Sequence, residues 1–281
     1  MIYNSNVSVI ILWNIGGILM IVDSLLNELS RCAGVEAITI GGSRASGYFD
    51  KTSDYDVYVY YSTPILSEDR LPILQKYCKQ IECNNTFWET EDNCVLNDDI
   101  PIDIIYRHLQ SFEKSLEAVV FQFQASNGYT TCLWHNVLHS LIVYDKTGSF
   151  KKMQDKFSVP YPNQLRENII QKNSALLKGY LPSYLDQIKK AVNRDDRVSI
   201  QHRTTEFLAS YFDIIFALNF MTHPGEKRLI SICKKECKVL PDSFEENINQ
   251  IFRTMFSDYK SFIDTLNDIV YKVEQIIIKK N

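Results

Sequence analysis

Asp54 and Asp56 stand two residues apart at the head of the run YDVYVYY, Tyr55 to Tyr61. In a strand, alternate side chains point to opposite faces. Both carboxylates therefore project from one face, about 7 Å apart along the backbone, while Tyr55, Val57 and Val59 point the other way into a core. Two like charges on one face repel unless a cation lies between them. Hard oxygen ligands of this kind suit Mg²⁺ held together with substrate phosphates. In IPIDIIYR, Asp103 alternates with Ile102 and Ile104, which puts a single carboxylate on the opposite face of an apolar strand. If that strand lies beside the Asp54 strand, Asp103 joins the same cluster. The alternative is a charge on a sheet face wetted by solvent.

A second motif precedes the carboxylates. Gly41, Gly42 and Ser43 follow the strand-like ITI and sit where a strand turns into a short helix. Glycine lets backbone N–H groups approach an anion closely, and a helix start adds positive dipole character, so the turn can cradle a polyphosphate. Arg44 and Ser46 are further donors. Alone, the same residues make a plain tight turn. Glu89, Glu91 and Asp92 lie in a stretch that reads as a hairpin with polar loops.

Together, Gly-Ser after a strand, Asp-x-Asp on the next strand and a later single Asp resemble the DNA polymerase β superfamily of nucleotidyltransferases, over roughly residues 35 to 107. The resemblance implies transfer of a nucleoside monophosphate, AMP from ATP or another nucleoside triphosphate, to an acceptor hydroxyl with release of pyrophosphate. It places the triphosphate on Gly42 and Ser43, two Mg²⁺ ions on Asp54 and Asp56, and Asp103 either as a third metal ligand or as the base. A transferase domain followed by helices is similar to bacterial antibiotic nucleotidyltransferases acting on aminoglycosides or lincosamides, which implies a small-molecule acceptor. Related minimal transferases that modify protein or tRNA supply a second reading, and a silent nucleotide-binding module a third. The complete acidic set argues against silence.

The elements that must position these groups read as α+β. Strands are expected at Glu36 to Ile40, Tyr55 to Tyr61, Thr86 to Leu96 and Ile100 to Tyr106, and helices at Asp69 to Gln80, Gln110 to Phe123 and Thr131 to Leu141. The polar, proline-containing segment Asp145 to Gln164 marks a boundary. Beyond it the pattern is helical. Leu177, Leu181, Leu185 and Ile188 form one stripe, Ile200 to Phe220 is apolar on nearly every face, and Ser243 to Lys279 keeps helical spacing throughout. The expected architecture is a polymerase-β-like mixed sheet with helices over residues 20–148, followed by an all-α helical bundle over 149–281 that binds substrate.

Within the helical half, His202, Glu206 and Asp213 share a helical face with Arg203 adjoining. Ionisable groups on so apolar a helix are costly unless paired or facing a cleft. They are expected either to bind acceptor hydroxyls or amines or to form an internal ion pair such as Arg203 with Glu206, and for Asp213 the structural role is favoured. Lys227, after a Pro-Gly turn, is a cation suited to phosphates, and Tyr184 can line an acceptor pocket. His135 and His139 lack the Glu of a zinc-binding H-E-x-x-H and read as bundle-facing or surface histidines.

Composition bounds the rest. The 281 residues carry 30 Lys+Arg against 34 Asp+Glu, a net charge of −4, which disfavours a dedicated duplex nucleic-acid binder. Hydrophobic residues at 45% and charged residues at 23% indicate a chain with a real core. The 7 Cys, an odd number, read as free thiols of a reducing compartment, with the cytoplasm as the expected location and a monomer or homodimer as the expected state. The apolar run Val7 to Val22 has no basic flank and is shorter than the roughly 20 residues of a membrane span. Residues 1–19 are read as a non-native or disordered extension before a start at Met20, with no membrane role.

Overall fold

The computed structural model describes residues 21–46 and 53–280, without the side chains of Ser43, Ser46 and Lys280. The expectations for residues 1–19 and Met20 lie outside them. The described chain divides into two units, one of residues up to Glu117 with Asn136–Ser158, the other of Ala118–His135 with the residues from Val159 on.

The first unit holds α1 (Ile21–Leu29), β1 (Val35–Ile40), α2 (Gly42–Ser46), β2 (Tyr55–Tyr61), α3 (Ser67–Tyr77), β3 (Cys78–Asn85), β4 (Thr90–Leu96), β5 (Pro101–His108), β6 (Leu141–Asp145) and α6 (Ser149–Phe157). Helices α4 (Leu109–Val120) and α5 (Cys132–His139) run across the division. The strands form one mixed sheet in the order β3-β4-β5-β2-β1-β6, in which β2 and β5 are parallel and the other pairs antiparallel. The α+β expectation and its mixed sheet stand.

Alternation in the strands explains the layering. Ile38, Val57, Val59, Ile102 and Ile104 project from one face into a core closed by Leu25, Leu26 and Leu29 of α1 and Leu74 of α3. On the other face, Tyr60 packs between Phe112 and Phe150, with ring centroids 5.3 and 4.7 Å away. That face is covered towards the ends of β2 and β5, whereas Asp56 and Asp103 at their beginnings are only half-buried.

Three elements depart from the expected ones. The helix expected to reach Gln80 stops at Tyr77, and β3 follows at once. Its sequence CKQIECNN is polar because it is an edge strand with one partner, β4. The short β6 was hidden in the apolar run after His139. Helix α6 occupies the polar boundary segment, burying only Phe150, Met153 and Phe157.

Asp92, read as part of a hairpin with polar loops, is fully buried. It pairs with Arg70 of α3 at 3.0 Å, accepts hydrogen bonds from the Tyr106 hydroxyl at 2.8 Å and the Asn84 amide at 2.7 Å, and has the Arg70 guanidinium 4.2 Å from the Tyr106 ring beside it. A polar knot thus fastens α3, the β3–β4 hairpin and β5.

The second unit holds α7 (Asn163–Leu177), α8 (Tyr184–Asn193), α9 (Arg197–Leu218), α10 (Leu229–Glu236), α11 (Phe244–Thr254) and α12 (Tyr259–Lys280). Helix α9 is central and packs against α7, α8 and α10, as its all-round apolar second half requires. The stripe through Leu181 is broken, since α7 ends at Leu177, Leu181 is exposed, and Ser183 opens α8 with a capping box to Asp186. The last segment is two helices, because Asp258 accepts from the Ser261 amide and starts α12. No helix among the described residues is long and apolar enough to cross a membrane.

Asp213 has the structural role. It is buried on α9 and accepts from the Thr130 amide (3.1 Å), the Thr130 hydroxyl (2.6 Å) and the Asn173 side-chain amide (3.2 Å). Burial pushes its carboxyl up to about 6 in spite of these bonds. A carboxyl whose pKa is raised by folding contributes stability that is full below its unfolded pKa, 3.8, and lost as pH rises through about 6. The difference in unfolding free energy between the wild type and Asp213→Asn is expected to fall by roughly 3 kcal/mol between pH 3.5 and 7, at about 1.4 kcal/mol per pKa unit. Urea unfolding across that range measures it, and a difference flat with pH contradicts it.

Candidate active site

Parallel pairing of β2 with β5 sets Asp56 directly beside Asp103, and Asp54 lies one residue before β2. Carboxylate oxygens of the three approach within 4.8 Å of one another, and all three residues are half-buried. The expected juxtaposition of Asp103 with the Asp54 strand is therefore present. On the other side of β5, Asn93 of β4 stands opposite Asp103 and donates to its Oδ1 at 2.8 Å, orienting the carboxyl group.

The glycine turn and the acids are one piece. The Gly41 amide donates to the Asp56 carbonyl at 2.8 Å. Gly42 has φ +61°, and a Cβ there would stand 1.8 Å from Asp56 Oδ2. Only glycine allows this approach. Gly42→Ala must displace the Asp56 carboxylate, and a shift of about 1 Å at a reacting centre costs about 10²-fold in rate. We expect a loss of that size in kcat/KM. Gly148→Ala is the control, because Gly148 also has positive φ (+72°) but open space around it, and its activity is expected to stay within about twofold. Equal losses in the two variants would show backbone strain, not crowding of Asp56, to be the cause.

Arg44 is tied to the start of β2. Its Nε donates to the carbonyls of Ser53 (3.1 Å) and Asp54 (3.0 Å), a further Nη2 bond goes to Ser53, and the guanidinium lies 3.7 Å from the Tyr55 ring centroid. It anchors the chain as it enters β2. The side chains of Ser43 and Ser46 lie outside the described ones.

The remaining expected site residues all belong to the second unit. Lys227 is exposed in the loop after α9, and His202 is exposed and Arg203 half-buried on the first turns of α9. Glu206 accepts from the Tyr184 hydroxyl at 3.4 Å, and the Tyr184 ring is buried.

Several further residues lie beside the acids. Arg107 is almost buried on the face of β5 that carries Asp103 and is doubly bonded to Glu89, at 2.8 and 2.6 Å. Tyr58 is two residues along β2 from Asp56, on the same face. Glu91 of β4 also shares that face, and desolvation, then repulsion from Asp103 and Glu89, holds its carboxyl above the ordinary range. Alternation could have flagged Glu91 with Asn93. Nothing short of the strand pairing could have placed them beside Asp103.

The donor set is all oxygen and hard, with three carboxylates converging, which fits Mg²⁺ better than a softer metal. Residues 22–119 match the family described as Nucleotidyltransferase domain, and residues 131–228 match a Domain of unknown function (DUF4037). No curated protein is significantly similar in sequence. Among solved structures, similarity is found to a nucleotidyltransferase-like protein from Exiguobacterium sibiricum 255-15, at 8% identity over 90% of this chain and 72% of that one, with a TM-score of 0.41. It is also found to an aminoglycoside 6-adenyltransferase from Bacillus subtilis, at 8% identity over 91% and 88%, TM-score 0.31. A third is the Thermotoga maritima CCA-adding enzyme complexed with tRNA, at 8% identity over 91% and 79%, TM-score 0.28. The family match over residues 22–119 falls on the strands that carry the acids and on the glycine turn, so the chain carries a nucleotidyltransferase domain, with a helical C-terminal region after it.

Proposed function

We propose that the protein is a Mg²⁺-dependent nucleotidyltransferase that moves AMP from ATP to a hydroxyl of a small molecule, releasing pyrophosphate, with an aminoglycoside-type antibiotic as the acceptor class. The observation that carries the reading is the convergence of Asp54, Asp56 and Asp103 beside Gly42. Attack on the α-phosphorus needs an acceptor oxygen freed of its proton, a neutralised transition state and a stabilised leaving group. Mg²⁺ held by the three aspartates supplies Lewis-acid activation and charge neutralisation.

The chain's own groups do the rest. The turn cradles the triphosphate from Gly42 onward, the Gly41 amide being taken up by the Asp56 carbonyl. Asn93 holds Asp103 in one orientation, and Asp103 is either a ligand or the acceptor of the hydroxyl proton. A carboxylate-rich sheet face attracts a cationic acceptor.

Purified protein, Mg²⁺ and α-labelled nucleoside triphosphates, incubated with aminoglycosides, lincosamides and cell extract, test this reading. Label on a small molecule supports it. Label only on protein or RNA overturns the acceptor class, and nucleotide binding without transfer overturns the activity.

A further inference from the structure

We propose that Tyr58 and Asn136 are positioning residues for the nucleotide, forming the wall on which the Gly41–Gly42 turn is seated, with Arg107 fixing both. The inference rests on the reading that this turn takes the triphosphate. Gly41 has no room for a side chain, since a Cβ would lie 2.6 Å from Tyr58 Cε2 and 3.0 Å from Asn136 Nδ2. The backbone of the turn therefore lies directly against these two side chains, while its other hold is the Gly41 amide bond to the Asp56 carbonyl.

The wall is itself clamped. Asn136 comes from α5 and is hydrogen-bonded to the Tyr58 hydroxyl, while its Oδ1 accepts from Arg107 Nη1 at 3.4 Å. Arg107 has its guanidinium 4.5 Å from the Tyr58 ring centroid and 4.9 Å from that of Phe112. The two hydrogen bonds that Arg107 donates to Glu89 fix the plane of that guanidinium. Tyr58 alternates with Asp56 on β2, so one strand carries both the wall and a metal-site acid. The clamp therefore sets the distance between the place for phosphates and the place for the metal.

The test uses the full chain and measures MgATP affinity, Mn²⁺ affinity without nucleotide, and melting temperature. Asn136→Ala and Tyr58→Ala are expected to weaken MgATP binding about tenfold or more and to leave Mn²⁺ affinity within about twofold. Tyr58→Phe, which keeps the ring, is expected to stay within about threefold of the wild type. Gly41→Ala should cost less affinity in the Tyr58→Ala background than in the wild type, because the clash with the Tyr58 ring is gone.

A lowered melting temperature with unchanged MgATP affinity in Asn136→Ala overturns the proposal, and so do fully additive Gly41 and Tyr58 effects. If Tyr58→Ala does not fold, Asn136→Ala alone decides. Failure of the wild type to bind MgATP removes the underlying reading together with the proposal, whereas binding that is insensitive to Asn136 removes the proposal alone.

Discussion

Replacing Asp54 and Asp56 together by asparagine is expected to lower kcat/KM for nucleotidyl transfer by at least about 10³-fold and to leave the fold intact. Losing several kcal/mol of metal-borne charge stabilisation corresponds to a rate loss of that size. The fold should persist because neither side chain contributes to the core that Val57, Val59, Ile102 and Ile104 build on the other face. Stability offers a second readout. Like charges within 4.8 Å repel by about 1 kcal/mol even at the dielectric constant of water. The variant should therefore melt no lower than the wild type in chelator, and Mg²⁺ should raise the melting temperature of the wild type only. Undiminished turnover would remove these residues from the metal site.

The largest stability effect is expected at Asp92. Asp92→Ala leaves the Arg70 guanidinium, itself 2% exposed, buried without its counter-ion, and strips the Tyr106 hydroxyl and the Asn84 amide of their acceptor. Breaking a buried pair from one side costs about 3–5 kcal/mol. We expect a loss in that range by denaturant unfolding, with Asp92→Asn intermediate because its carbonyl still accepts. Replacing Arg70 and Asp92 together by apolar residues should cost less than Asp92→Ala alone, since no isolated charge remains. A loss under about 1 kcal/mol for Asp92→Ala would mean that water reaches Arg70.

Which parts of this site the sequence reveals follows from the range of the forces involved. Period-two alternation is local, so Asp54, Asp56 and Asp103 could be read as strand residues on faces opposite an apolar set. A glycine pair after a strand is local too. The partners of these groups depend on pairing between distant strands and helices. Asn93 matters because β4 pairs with β5, and Asn136 because α5 brings it against Tyr58. Nothing local shows that the carbonyls of Ser53 and Asp54 accept from Arg44. Asp92 and Glu91 are neighbours of similar chemistry, yet alternation sends one into the core and the other to the site. Edge strand β3 was obscured because an edge needs little apolar character.

The parallel pairing of β2 with β5 also bears on how the chain reaches its native state. Parallel neighbours need a crossover, here α3 with the β3–β4 hairpin, so Asp56 and Asp103 meet only after a long stretch of chain has been closed. Such distant contacts form slowly, and the carboxylates resist the approach as it completes. The hairpin can form first from local contacts, and it carries Asn93, the group that receives Asp103 on the far side of β5. A hairpin formed first would put a neutral hydrogen-bond donor in place before the charges converge, and divalent cations are expected to accelerate refolding.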